Sequence, residues 1–87
     1  MTLDELRAEL AKLDHLPGDT PVILAKDAEG NSHSPLTEVE HAMYLAETTW
    51  RGEHYMTEAA RQTQADPDDY DEAPDGSVNA VFLWPTN

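Results

Sequence analysis

Among the side chains that could do chemistry, the histidines, the carboxylates and the large aromatics come first. His15, His33, His41 and His54 are scattered, with no pair at helical spacing and no HExxH, so zinc would require a site assembled from distant segments. Asp66, Asp68, Asp71 and Glu72 resemble a calcium loop. However, Tyr70 stands fifth from Asp66, where an oxygen ligand is needed, and Asp71 stands sixth, where the sharp turn needs glycine. Asp27 and Glu29 could form an acid and base pair, but they flank a turn where water would keep both ionised at neutral pH. There is no P-loop, no GxSxG and no dinucleotide fingerprint. These patterns point away from an enzyme, and they assign no catalytic residue, metal ligand or cofactor.

The aromatics are more informative. A domain of 87 residues cannot hide every large ring, so some of Trp50, Tyr55, Tyr70 and Trp84 should reach the surface. Aromatic anchors rimmed by carboxylates have the composition of a protein-binding patch, with charge steering the approach. Trp50, Tyr55 and Tyr70, with Asp27 and Glu29, are the candidate partner-binding residues. The alternative is structural: Trp84 and Tyr44 complete the core and Trp50 covers a sheet edge.

Charge narrows the partner. With 18 Asp and Glu against 5 Lys and Arg, the net charge is −13, beyond the magnitude of about 2 to 8 usual for a small soluble domain. Such a chain repels nucleic-acid phosphates and anionic lipid, so a partner should be basic or neutral. The absence of cysteine fits a reducing cytoplasm. The charged N-terminus does not read as a signal peptide, and no run approaches the length of a membrane span.

The elements that must position these residues form one small domain. Thr2 and Glu5 make a capping box, with Met1 and Leu6 at the staple positions, so a helix should start at Leu3. Leu3, Leu6, Leu10 and Leu13 form a stripe that should pack across a sheet, a two-stranded coiled coil being the alternative. Pro17 and Gly18 stop the helix. Val22 to Ala25 is an apolar run suited to a covered strand inside a sheet. Asp27 to Gly30 supplies a type I turn and a left-handed residue, and Asn31 to Leu36 returns antiparallel, with Pro35 marking an edge or strand end. Thr37 and Glu40 form a second capping box, predicting one helical turn before a strand around Ala42 to Ala46. Arg51 and Gly52 break that strand, and Thr57 caps a short helix, Glu58 to Gln62. Asp66 to Gly76 carries six acidic residues, two prolines and a glycine and reads as a flexible, solvated loop. Ser77 to Trp84 alternates as a second buried strand ended by Pro85, and the two buried strands should lie side by side. The predicted fold is α+β, an N-terminal helix packed on a small, mainly antiparallel sheet of three to four strands.

ILAKDAEGNSHSPL, then YLAET, RGEHYMT and a terminal AVFLWPTN, resemble a group of small, uncharacterised, acidic proteins encoded by actinobacteria and their bacteriophages. The likeness runs from Leu13 onward, and in that group proline often stands at the position of Ala46, which favours a strand there. It implies a phage or phage-derived setting, in the host cytoplasm, and no catalytic residue. The function expected is therefore an accessory protein without catalysis, docking on a basic or neutral protein surface. Two rivals stand beside it. One is a DNA mimic that occupies a nucleic-acid-binding protein, with Asp4, Glu5, Glu9, Asp27 and Glu29 as its rigid carboxylates. The other is a small oligomeric virion or assembly component. The acidity could also be an adaptation to high salt.

Overall fold

The computed structural model describes Met1–Asn87 and shows an α+β chain with one N-terminal helix and a four-stranded, mainly antiparallel sheet. In order, the elements are α1 (Leu3–Ala11), β1 (Ile23–Ala25), β2 (His33–Ala46), β3 (Gly52–Tyr55), α2 (Glu58–Gln62), a single 3-10 turn (Pro67–Asp69) and β4 (Val78–Pro85). β1 and β3 flank β2, and β4 is also hydrogen-bonded to β2. The contacts divide into two units, Met1–Glu38 with Trp84–Asn87, and Val39–Leu83.

In the first unit, α1 starts as its capping box requires. Thr2 Oγ1 accepts from the Glu5 amide at 3.1 Å, and Glu5 Oε1 accepts from the Thr2 amide at 3.3 Å and the Thr2 hydroxyl at 3.0 Å. The Thr2 hydroxyl, then its amide and the chain's terminal ammonium, hold the Glu5 carboxyl below its usual range. The leucine stripe does not bury as expected. α1 has no buried residue, only Leu6 is half-covered, and Leu3, Leu10 and Leu13 are exposed. The β1–β2 hairpin forms antiparallel as predicted, with Ile23 facing Pro35, Leu24 facing Ser34 and Ala25 facing His33. β1 is nevertheless a three-residue edge strand and not a covered one, with Val22 and Ile23 more than half exposed. Nor do the two apolar strands pair with each other: β2 is the common partner of β1 and β4. Pro35 does not end its strand. Its carbonyl accepts from the Thr86 amide while the next residue, Leu36, donates to the Val22 carbonyl, so the ladder passes the missing N–H without a gap. Ser34 is fully buried here, its hydroxyl accepting from the Asn87 amide.

β2 also overturns the helical turn predicted after Thr37. The strand runs unbroken for 14 residues. The two side chains of the supposed capping box are used over long range instead, Thr37 Oγ1 with Thr86 Oγ1 at 2.5 Å and Glu40 Oε1 with His54 Nε2 at 2.8 Å. A local cap contributes about 1 kcal/mol, so a strand ladder that offers both groups other partners prevails.

In the second unit β2 bends back through a tip at Glu47–Arg51 into β3, whose register sets Tyr44 opposite His54 and Ala46 opposite Gly52. Gly52, expected to break a strand, begins one. The Tyr44 ring lies over it so closely that an added Cβ would sit 2.6 Å from ring atoms. Along β2 burial rises in this unit: Val39 and His41 are exposed on either side of a half-covered Glu40, Ala42 is buried, and Met43, Tyr44 and Leu45 are all half-covered. Phe82 of β4 meets this part of the sheet, edge-to-face with the His54 ring at 4.7 Å and tilted against Tyr44 at 6.2 Å. β4 is not the buried strand expected. Ala80, Phe82 and Pro85 are half-covered, while Val78, Val81, Leu83 and Trp84 are exposed.

Candidate functional site

Thr57 Oγ1 accepts from the Ala60 amide and starts α2 at Glu58, as its sequence dictates. That phase turns Arg61 inward, where it is 6 % exposed, the one buried charge in the chain. Its Nε donates to the Tyr70 carbonyl at 3.0 Å. Its guanidinium reaches Glu58 at 3.0 Å, Glu72 at 3.5 Å and Asp68 at 3.6 Å. The stretch from Asp66 to Gly76 thus contains a 3-10 turn at Pro67–Asp69 and is tied to α2 through one arginine. Sequence reasoning missed this residue. The signal was present, because Arg61 is the last cation before six acids, and a guanidinium offers a fork of donors to carboxylates and carbonyls alike.

Held in this way, Tyr70 and Asp71 stand across an open cleft from the end of β3. Glu53, His54, Tyr55, Met56, Tyr70 and Asp71 line about 340 Å3. His54 closes the inner side, its ring between Glu40 and Phe82. Two of the predicted partner-binding residues, Tyr55 and Tyr70, therefore share one cleft.

Trp50 occupies a different place, the tip between β2 and β3, and is 88 % exposed. The tip is shaped by Thr48, whose Oγ1 accepts from the amides of Trp50 and Arg51, and by an Arg51–Glu47 ion pair at 3.6 Å. These bonds shape a turn that leaves the Trp50 indole uncovered.

Asp27 and Glu29 belong to the other unit, at the β1–β2 tip. Asp27 Oδ1 accepts from the amides of Glu29 and Asn31, at 2.9 and 3.1 Å, and Gly30 takes φ +72°. The Asn31 amide chiefly, with the amides of Glu29 and Gly30, holds the Asp27 carboxyl below its usual range despite some opposing desolvation. Its first task is to shape its own turn. Elsewhere His41 bonds Asn79 at 2.8 Å, and no three His, Asp or Glu side chains converge as metal ligands would.

Comparison with protein families, with curated proteins and with solved structures finds no match for this chain.

Proposed function

We propose that this chain is a non-catalytic accessory protein that binds a basic or neutral surface of another protein, with Trp50 as its central anchor. The observation that carries this is how little the fold covers for itself. Ala42 is the only hydrophobic residue that is buried, while Trp50, Val39, Val22, Val78 and Ile23 are each more than half exposed. The chain exposes 7056 Å2. A monomer of its mass exposes about 5,100 Å2 and two separate units of half that mass about 6,200 Å2. Large apolar side chains left uncovered in both units are available to a partner, and a net charge of −13 favours a basic one. The resemblance to acidic phage and actinobacterial proteins supplies the setting, a phage protein acting in the host cytoplasm.

The test is capture from host lysate by the immobilised chain, followed by reconstitution with the purified partner. A basic protein should be retained at moderate salt, released at high salt, and bound at least tenfold more weakly by Trp50→Ala. Recovery of no such protein would end this reading.

A second reading, a small oligomeric assembly component, draws on the exposed Leu3, Leu10, Leu13 and Leu16. Repulsion between copies opposes association at low ionic strength and is screened by salt. Light scattering in dilute and molar KCl decides it, a monomer in both removing it.

A further inference from the structure

The cleft between the end of β3 and Tyr70 has a chemistry of its own. Its lining includes two tyrosines, a methionine and two exposed acidic residues, Glu53 and Asp71. The ion pairs of this unit run through other acids, Glu40, Glu47, Glu58, Asp68 and Glu72. The nearest permanent cation, Arg61, is buried, directs its guanidinium to Glu58, Asp68 and Glu72, and touches the wall only through the Tyr70 carbonyl. The one basic residue of the lining, His54, is paired with Glu40.

We propose that this cleft receives the guanidinium of an arginine side chain from a basic segment of the partner, an inference that rests on the reading above. Aromatic rings attract a cation through their negative faces, and a carboxylate at the rim accepts from the guanidinium fork. Arginine suits both at once. It is planar, weakly hydrated and permanently charged, and its stem can lie along Met56 and the tyrosine rings. A cleft of about 340 Å3 has room for such a side chain. Arg61 is here a positioning residue: it keeps the Tyr70 wall opposite Tyr55 without touching the ligand.

The test uses the full chain, isotopically labelled, titrated to millimolar concentration with an acetylated, amidated Gly-Gly-Arg-Gly-Gly peptide. The same peptide with citrulline, isosteric but neutral, is the comparison. Amide shifts concentrated at residues 53–56 and 70–71 with arginine, and absent with citrulline, are expected. Tyr70→Leu and Glu53→Gln should each weaken binding at least fivefold, while Asp66→Asn, outside the cleft, should change it less than twofold. Shifts spread evenly over the acidic surface, or an affinity unaltered in Tyr70→Leu and Glu53→Gln, would mean diffuse attraction and overturn the site, as would no shift with either peptide. The reading of a basic protein partner fails separately, when no basic protein is captured although the arginine peptide occupies the cleft.

Discussion

Two side chains show how single residues set local structure. Gly52 is required by close approach, since the Leu45 carbonyl oxygen and the Tyr44 side chain both occupy the space where a Cβ would stand. Gly52→Ala should destabilise the fold by about 1–3 kcal/mol, as overpacking does. Combining it with Tyr44→Leu should restore part of the loss, because contacting sites are not additive. Urea unfolding of the single and double variants checks both statements. Asp27 gives a pH prediction at the other hairpin. Its carboxyl is held below its usual value by the Asn31 amide, with help from those of Glu29 and Gly30. Its contribution is therefore complete above an unfolded value of about 3.9 and is lost as the pH falls through the lower folded value. The Glu29 and Asn31 amide resonances should titrate together below about pH 4, and Asp27→Asn should abolish that transition.

At the scale of elements, the Asp66–Gly76 stretch divides by partner. Asp68 and Glu72 face the buried Arg61, whereas Asp66, Asp69 and Asp71 form no ion pair. Arg61→Met would leave the Tyr70 carbonyl without its donor and three carboxylates without their cation. The carboxylates are well exposed and can rehydrate, so most of the loss comes from the carbonyl and the buried stem, and about 1–3 kcal/mol is expected. Asp66→Asn with Asp69→Asn should stay within about 0.5 kcal/mol of the parent, or gain slightly from reduced repulsion. Thermal unfolding of the two variants side by side reads the difference directly. A melting temperature unchanged by Arg61→Met would show that the stretch is not held through this residue.

At the scale of the molecule, thin burial and high charge act together. Denaturant sensitivity follows the surface newly exposed on unfolding, so the urea m-value should fall at or below the lower end of the usual range, about 1 kcal/mol per molar. Repulsion within a chain of net charge −13 is screened by salt, so the melting temperature should rise between dilute and molar KCl. A bound partner should raise it further in proportion to its concentration. A large m-value in the free chain would contradict the exposure of Val22, Val39 and Val78.

Local chemistry made much of this chain legible from sequence. The Thr2–Glu5 box, the Asp27–Gly30 turn with its left-handed glycine and the Thr57 cap of α2 each depend on residues within four positions of one another. Only the tertiary structure decided what depends on distant partners. Thr37 and Glu40 have the pattern of a helix cap, yet Thr86 and His54 claim them for a 14-residue strand. Arg61 is one charge among many in sequence, and it becomes an anchor because the chain returns to it at Asp68, Tyr70 and Glu72. Tyr55 and Tyr70, fifteen positions apart, share a cleft for the same reason. A side chain's hydrogen bonds and charge are satisfied by whatever the fold brings within about 3 Å, and spacing along the chain predicts that neighbour only when the neighbour is local.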